Sequence, residues 1–247
     1  MIEELLEKAK NDKRVTLDFV INNKIHAFKA TNDNNKKLLL YIHGLGSNKN
    51  WITRFYNELL DNNYNVYSID QVSHGNDDTP FNNFNLTNCI SYLKETINYI
   101  KENHKDSEIY VLGSSYGGFV ILNAYKDIIN DVKKFYLMCP AVNFTDIMEE
   151  NIENLNINYF DNNEYLPLYN DIKIYKDAYI EFKKGNEYVK NEKYNNISII
   201  QGDIDKTVNV DKIKEFCNKN NLDLKIIKDG KHELYGYDKE IIDFIMK

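Results

Sequence analysis

The sequence predicts an α/β protein whose central sheet is mostly parallel and is covered by helices on both faces. Short apolar runs of strand length recur along the chain, and segments of helical period separate most of them. Strands that are connected through helices pair in parallel, because each connection crosses back over the sheet. The chain has 247 residues, of which 43% are hydrophobic and 28% are charged, so one large core can form without disulfides or metals.

The amino-terminal part of the sequence predicts a helix and then a hairpin. Ile2–Lys10 has the period of an amphipathic helix, and Val15–Ile21 and residues 24–30 are β-rich runs joined at Asn22 and Asn23. Two adjacent asparagines favour a tight turn between strands. We therefore expect an antiparallel pair at one edge of the sheet.

Six further runs are nearly continuous in apolar residues, which is typical of strands that are covered on both faces. They are residues 37–43, 65–70, Glu108–Ser114, 134–139, 197–201 and 222–228. The helical segments among them are residues 51–60, 86–102, 119–125, 210–218 and 239–246. We therefore expect the reactive side chains to lie in the loops that follow the strands.

One stretch interrupts the alternation of strands and helices. Residues 145–196 contain no run typical of a buried strand but many tyrosines and phenylalanines. A connection of this length between neighbouring strands is uncommon. We expect one core formed by residues 1–144 and 197–247, with a small lid inserted at 145–196 over one end of the sheet.

Charge and composition argue against several functions. The formal charge of −7 makes nucleic acid an unfavourable partner. Mean hydropathy is −0.57, and the sequence lacks an apolar stretch of about 18 residues, so we expect no stable membrane insertion. The first residues show no signal peptide, and the three cysteines, Cys89, Cys139 and Cys217, are irregularly spaced. These features predict a cytoplasmic protein without a disulfide framework or paired zinc ligands.

Gly113-Ser114-Ser115-Tyr116-Gly117 is the sharpest chemical signal in the sequence. It has the form G-x-S-x-G, follows a predicted strand and precedes a predicted helix. Such a turn strains the backbone of the serine and exposes its hydroxyl, and only small residues two positions before and after leave room for it. A serine held in this way beside a base becomes a nucleophile, and Ser115 occupies that position.

A second glycine-containing loop, His43-Gly44-Leu45-Gly46, follows another predicted strand. Acyl transfer needs two N–H donors for the oxyanion that forms on the substrate, and glycines let the backbone approach closely. We expect these donors to be the N–H groups of Leu45 and Tyr116, and we interpret His43 as structural. The loop lacks the third glycine of a dinucleotide-binding motif and the G-K-[ST] of a phosphate-binding loop, so no cofactor is expected.

The base and the acid are expected in the loops after the last two strands. Asp205 and His232 are separated by about one strand–helix–strand unit, which brings both to the edge of the sheet that holds the serine. Asp203 also follows the strand, but Asp205 lies farther along the loop and is favoured because it can reach the next loop. Asp146 and Glu233 stay as lesser alternatives for the acid.

With these residues identified, the sequence resembles the α/β-hydrolase superfamily over nearly its full length. The matching motifs are HGLG at 43–46, DQVSHG at 70–75, GSSYGG at 113–118, GDIDKTV at 202–208 and GKH at 230–232. The resemblance implies the α/β-hydrolase fold, and it supports Asp205 as the acid and the Leu45 N–H as an oxyanion donor. Among its subfamilies, small carboxylesterases of the cinnamoyl/feruloyl-esterase and monoacylglycerol-lipase-like kinds are the most similar.

The sequence thus predicts a serine hydrolase that cleaves a small-molecule carboxylic ester through a covalent acyl-enzyme. Ser115 would attack the carbonyl, His232 would move the proton and Asp205 would orient His232, with no cofactor or metal. Two alternatives stay open: a thioesterase or small-peptide amidase with the same residues, and a ligand-binding protein that kept the fold without turnover. An edge strand or the lid could join two copies into a homodimer.

Overall fold

The computed structural model describes residues 2–153 and 155–247. Helix α1 (Ile2–Lys10) precedes strands β1 (Val15–Ile21) and β2 (Ile25–Ala30), which pair antiparallel. The residues of the turn between them, Asn22 and Asn23, have φ values of 51° and 60°. Asparagine tolerates this left-handed conformation better than most residues, so the hairpin predicted from the two asparagines is present.

Eight strands form a central sheet, and two more form a small separate sheet. The strands after the hairpin are β3 (Lys37–Ile42), β4 (Tyr64–Ile69), β5 (Glu108–Ser114), β6 (Lys134–Met138), β7 (Tyr165–Pro167), β8 (Lys173–Tyr175), β9 (Ile197–Gly202) and β10 (Asp223–Ile227). The central order is β1-β2-β4-β3-β5-β6-β9-β10. The β2–β4 pair is antiparallel like the hairpin, and all later pairs of this sheet are parallel, which confirms the predicted class.

Helices cover both faces of the central sheet. The helices after α1 are α2 (Tyr56–Asp61), α3 (Leu86–Asn103), α4 (Tyr116–Ile128), α5 (Phe144–Asn151), α6 (Lys176–Asn191), α7 (Val210–Asn220) and α8 (Asp238–Ile245). Leu38 and Leu40 of β3 pack with α3, α4, α6 and α7, whereas Leu39 and Tyr41 pack with α1, α2 and α8. This division follows from the alternation of side chains along a strand. Among the described residues, none of the helices is both long and apolar enough to cross a membrane.

The helix predicted at residues 51–60 is divided in the structure. Lys49–Arg54 forms a 3-10 helix, and α2 begins only after Phe55, whose φ of −147° is not helical. Trp51, Ile52 and Phe55 are all buried. Short helices gain most of their stability from packing, so the burial of these side chains outweighs the helical period of the sequence.

The stretch at residues 145–196, here called the insert, contains α6, most of α5 and the β7–β8 hairpin. The expectation that it holds no buried strand was wrong, because Leu166 of β7 and Ile174 of β8 are buried. Strands of three residues are too short to produce an apolar run in the sequence. Tyr179 of α6 is fully buried in the same apolar cluster as α3 and α4, so the insert packs firmly on the core. That it acts as a lid stays a prediction.

Candidate active site

Ser115 lies at the turn between β5 and α4. Its backbone has φ 50° and ψ −116°, a conformation that residues other than glycine rarely adopt. The N–H of Ser115 donates to the carbonyl of Met138 at 3.0 Å, and its own carbonyl accepts from the N–H groups of Gly118 and Phe119. Because this carbonyl starts the helix, α4 begins at Tyr116 and not at the predicted residue 119.

Two glycines make the turn possible. A Cβ atom on Gly117 would lie 2.2 Å from the carbonyl oxygen of Ile42 in β3. A Cβ atom on Gly113 would lie 2.4 Å from the Ile121 side chain and 2.9 Å from the carbonyl oxygen of Gly117. Backbone atoms of a central strand cannot move aside without cost, so the requirement for small residues inferred from G-x-S-x-G is met for a visible steric reason.

The loop after β10 brings His232 to the serine. Nε2 of His232 is 2.9 Å from Oγ of Ser115, and Nδ1 is 2.8 Å from Oδ2 of Asp205. An ionised carboxylate only accepts hydrogen bonds, so Nδ1 carries the proton and Nε2 offers a lone pair to the serine hydroxyl. The His232 side chain is 16% exposed and that of Asp205 is fully buried. The cleft therefore reaches the histidine but not the carboxylate.

The carboxylate of Asp205 is held by four hydrogen bonds. Oδ1 accepts from the N–H groups of Thr207 and Val208 at 2.8 and 2.9 Å, and Oδ2 accepts from Nε2 of Gln201 at 2.9 Å as well as from His232. Burial alone would raise the pKa of the Asp205 carboxyl. The hydrogen bond from His232, together with those from the two N–H groups, outweighs burial and lowers this pKa below its ordinary value of 3.8. Asp205 is therefore ionised at neutral pH.

The other acids considered from the sequence lie elsewhere. Asp203 is exposed in the same loop, and Asp146 is exposed in α5, where it accepts a hydrogen bond from Asn186 at 2.9 Å. Glu233 is exposed and lines the cleft next to His232. Of the four candidate carboxylates, Asp205 is the one whose oxygen bonds to the histidine ring.

The loop after β3 lies directly against the serine. A Cβ atom on Gly44 would be 3.2 Å from Cβ of Ser115. The carbonyl oxygen of Gly44 accepts from Nδ1 of His43 at 2.7 Å and from the N–H of Ser47 at 3.2 Å. The C=O and N–H of a trans peptide point in opposite directions, so the N–H of Leu45 points away from these two donors.

The N–H groups of Leu45 and Tyr116 are unpaired. Within residues 2–153 and 155–247, neither group donates to an acceptor. The Tyr116 N–H belongs to the first turn of α4, where N–H groups have no partner inside the helix. Both predicted donors are thus free beside Ser115, and their role as an oxyanion hole stays a prediction.

His43 supports this loop from within the protein. Its Nε2 accepts from the N–H of Gln71 at 3.0 Å, so Nδ1 carries the proton that is donated to Gly44. Burial, with a smaller contribution from the neighbouring His74, lowers the pKa of His43 to about 3. The ring is therefore neutral and fixed, which fits the structural role expected from the sequence.

The insert contributes two residues that sequence analysis missed. The Tyr169 hydroxyl donates to the carbonyl of Leu45 at 3.0 Å, and Nδ2 of Asn170 donates to the carbonyl of Gly46 at 2.9 Å. Gly46 has a φ of 68°, and a Cβ atom there would lie 2.5 Å from the Tyr169 ring. Both hydrogen bonds join positions 124 residues apart, so the local sequence gives no sign of them.

A cleft of about 530 Å³ opens above Ser115. The rings of Trp51, Tyr169 and Tyr235 line it. Among the described residues that line the cleft, Glu233 supplies the one carboxylate. A cleft of this size, lined by aromatic rings together with polar groups such as Ser115, His232 and Glu233, suits a small organic substrate.

One group of side chains in the described residues could in principle hold a metal ion. The ligand atoms of Cys139, Asp205 and His232 lie within 4.8 Å of one another. Asp205 and His232 already use their facing atoms to bond to each other. Burial and the charge of Asp205 raise the pKa of the Cys139 thiol well above its usual value, so the thiol is neutral. A bound ion would have to break the hydrogen bond between Asp205 and His232, so these donors do not fit a metal centre.

Comparisons with known proteins agree with the observed fold. The model of the family described as serine aminopeptidase S33 matches residues 33–159, which is just over half of the chain. This segment includes Ser115 and the loop after β3 but ends before Asp205 and His232. A search of the curated proteins finds no significant match.

Solved structures extend the similarity to nearly the whole chain. Est1E from Butyrivibrio proteoclasticus with bound ferulic acid has a TM-score of 0.80 at 18% identity, covering 94% of this chain and 96% of that chain. A putative hydrolase from Agrobacterium vitis gives 0.73 at 16% identity, and mouse alpha/beta hydrolase domain-containing protein 10 gives 0.69 at 13%. Each covers 94% of this chain and 98% of the other. At these identities the similarity shows the α/β-hydrolase fold.

Proposed function

The chain belongs to the serine aminopeptidase S33 family of α/β hydrolases, and we propose that it cleaves carboxylic esters through a covalent acyl-enzyme. One observation carries the proposal: an unbroken chain of hydrogen bonds runs from Asp205 through His232 to Ser115. The three side chains come from separate loops, and a neutral histidine between a carboxylate and a serine hydroxyl activates the serine as a nucleophile.

The acylation step uses the lone pair on Nε2 of His232. Oγ of Ser115 attacks the ester carbonyl carbon while its proton passes to Nε2, and the carboxylate of Asp205 stabilises the imidazolium that forms. The N–H groups of Leu45 and Tyr116 stabilise the oxyanion, typically by about 3 kcal/mol per donor. His232 then gives its proton to the leaving alcohol, and the acyl group stays on Ser115.

Deacylation repeats the same chemistry with water. His232 takes a proton from a water molecule, which attacks the acyl carbonyl, and the proton returns to Oγ of Ser115 as the acid leaves. The chain's own groups suffice for every proton transfer in the two steps. Proteins of similar fold support an ester as substrate, because they include Est1E with bound ferulic acid, a membrane phospholipase A and a putative lipase.

A second candidate is cleavage of an amide next to a free amino group. The description of the family as serine aminopeptidases favours this candidate. A substrate ammonium group would need an acidic partner, and Glu233 places a carboxylate in the cleft. Amide cleavage also demands stronger protonation of the leaving amine, which is why we place it second.

A fluorophosphonate probe tests the proposal directly. The wild-type protein should gain one covalent adduct, located by mass spectrometry on the peptide that contains Ser115, because this probe needs the nucleophile, the base and the oxyanion donors together. Ser115→Ala should gain none, and Ser107→Ala, a change in a remote turn, should be labelled like the wild type. A folded wild-type protein that stays unlabelled would favour the ligand-binding alternative.

A substrate panel then separates the two candidates. Aryl esters of short acids, matched thioesters and aminoacyl anilides are compared by kcat/KM on the wild-type protein. We expect the ester to be cleaved fastest. Faster cleavage of the anilide, and its loss in Glu233→Gln, would reverse the order of the candidates.

A further inference from the structure

Arg54 lies at the end of the 3-10 helix Lys49–Arg54, away from the reacting atoms. Its side chain is 1% exposed, and its guanidinium carbon lies 4.2 Å from the ring centre of Trp51 and 4.6 Å from that of Tyr235. A guanidinium between two aromatic faces is held in one plane by cation–π contacts. The position of Arg54 is therefore tightly defined.

The guanidinium group of Arg54 bonds the loop that carries His232. Nη1 donates to the carbonyl of Glu233 at 3.1 Å and Nη2 donates to the carbonyl of Leu234 at 2.9 Å. Nη2 also pairs with Oδ1 of Asp238, the first residue of α8. The two carbonyls belong to the residues that follow His232 directly, so Arg54 fixes the backbone on the carboxyl side of the histidine.

This loop does not have a conformation that its own sequence favours. Leu234 is completely buried with a φ of 46°, and Asp229 and Gly236 also have positive φ values. A leucine in the left-handed region costs about 1 kcal/mol or more. Contacts from outside the loop must offset that cost, and the two hydrogen bonds from Arg54 are such contacts.

The use of arginine at this position is selective. Only two of the 31 lysine and arginine residues are arginines, Arg14 and Arg54. A lysine carries its three N–H donors on a single nitrogen and cannot present the planar, spread-out donors that here bond two successive carbonyls and a carboxylate. Nε of Arg54 is buried and, among the described residues, has no acceptor. The arginine is therefore present although one of its buried donors is unsatisfied, which costs free energy.

We propose that Arg54 is a positioning residue that keeps Nε2 of His232 within hydrogen-bond reach of Ser115. It acts through the backbone of Glu233 and Leu234 and not by contact with the substrate. The inference rests on the proposed function, since it assigns a supporting role in the same site. A merely structural role would lower stability and leave the folded protein fully active.

The test compares Arg54→Met and Arg54→Lys with Arg14→Met, the matched change at the other arginine. Arg14 bonds Asp12 and Asn57 at the surface, so its loss costs stability without touching the loop. We expect both Arg54 variants to lose about 10- to 100-fold in kcat and in the rate of fluorophosphonate labelling, with KM nearly unchanged, because a shift of about 1 Å is enough for such losses. Arg54→Lys keeps the charge, so it decides the question if Arg54→Met does not fold.

Two further measurements distinguish the possible failures. In Arg54→Ala, millimolar guanidinium should restore part of the activity, whereas equal concentrations of ammonium should not. The strongly deshielded Nδ1–H resonance of His232 should be present in the wild type and in Arg14→Met and broadened or lost in both Arg54 variants. The inference would be overturned if the Arg54 variants were labelled at the wild-type rate and kept both the wild-type kcat and the wild-type resonance. A wild type that shows the resonance but no labelling would overturn only the proposed function, and loss of the resonance in the variants would then still support the role of Arg54.

Discussion

The turn that carries Ser115 and the loop that carries His232 reach the same cleft by different means. The serine is held by backbone sterics: Gly113 and Gly117 leave no room for a Cβ atom, and the carbonyl of Ser115 starts the helix that follows. The histidine is held by groups from distant positions, Asp205 on its ring and Arg54 on its loop. The residues that constrain the serine are its neighbours in sequence, whereas those that hold the histidine are not.

The difference has an energetic consequence. A turn fixed by steric exclusion fails as a whole when one glycine gains a methyl group, because packed backbone atoms cannot move aside. A loop fixed by several separate hydrogen bonds weakens step by step as each bond is removed. Changes on the two sides of the cleft should therefore affect activity and stability in different proportions.

The largest loss of activity is expected at the histidine side, in Asp205→Asn. The substituted amide would donate to the histidine ring or leave it in the wrong tautomer, so Nε2 would no longer accept the serine proton. We expect kcat to fall on the order of 10⁴-fold with little change in KM, measured by steady-state ester hydrolysis. Asp203→Asn, a change to an exposed acid in the same loop, should leave kcat as it is; a loss below tenfold in Asp205→Asn would contradict the assigned acid.

At the serine side, Gly117→Ala should damage stability and activity together. The new Cβ atom would lie 2.2 Å from the Ile42 carbonyl oxygen, so the turn must shift. We expect a loss of unfolding free energy on the order of 3 kcal/mol and about 100-fold slower fluorophosphonate labelling of the folded protein. Unfolding by urea and labelling kinetics measure the two effects.

Gly185→Ala provides the control for that experiment. The three atoms nearest to its Cβ atom would be side-chain atoms, of Leu86 at 2.6 Å, Phe119 at 2.8 Å and Asn123 at 3.0 Å. It should cost stability but preserve the labelling rate per folded molecule. Equal labelling losses in the two variants would mean that the turn is not specially sensitive to steric change.

The pH dependence of stability probes His43, whose ring supports the loop after β3. The pKa of His43 is lowered by burial to about 3, from an ordinary 6.5, so the unfolded chain binds a proton below pH 6.5 that the folded protein does not bind until near pH 3. The free energy of unfolding should therefore decrease as the pH falls through this window, by about 1 kcal/mol per pH unit for this residue. His74, whose pKa burial also lowers, adds in the same direction.

Urea titrations at pH 7, 6 and 5 measure this slope in the wild type and in His43→Asn. The slope of the unfolding free energy against pH should be shallower in the variant by about 1 kcal/mol per pH unit, because asparagine does not titrate. Equal slopes in the two proteins would show that His43 is not buried in its neutral form.

The smallest effect is expected where the insert contacts the loop after β3. Tyr169→Phe removes one hydroxyl hydrogen bond to the carbonyl of Leu45 and keeps the ring over Gly46. We expect kcat to fall about threefold, the size expected for one exposed hydrogen bond. Tyr165→Phe, in the same hairpin, is the matched control and should show no loss; equal kcat values for both variants would remove Tyr169 from the support of the loop.

Much of the fold could be predicted from the sequence because its signals are local. Six apolar runs and two β-rich runs marked the eight strands of the central sheet, and Asn22 and Asn23 marked the hairpin. The division of residues 51–60 was not predictable, because it depends on burying Trp51 and Phe55 against the sheet. The β7–β8 hairpin was missed because strands of three residues have no recognisable period.

The candidate site divides in the same way. The glycines around Ser115 and the order of Asp205 and His232 along the chain pointed to the three side chains that the structure brings together. Tyr169 and Arg54 gave no comparable signal, although the scarcity of arginine in this chain could have drawn attention to Arg54. Their partners lie more than one hundred positions away, and a pattern read along the chain does not record which residues meet in space.

The sequence by itself determined the order of strands and helices along the chain, the turn at Ser115 and the identity of the side chains that can exchange a proton. These follow from backbone sterics and side-chain chemistry, which act within a few residues. Only the tertiary structure decided that Asp205 and not Asp203 bonds His232, that the insert bonds the loop after β3 and that Arg54 bonds the loop that carries His232. Such choices depend on distances between elements, and those distances are fixed only when the core packs.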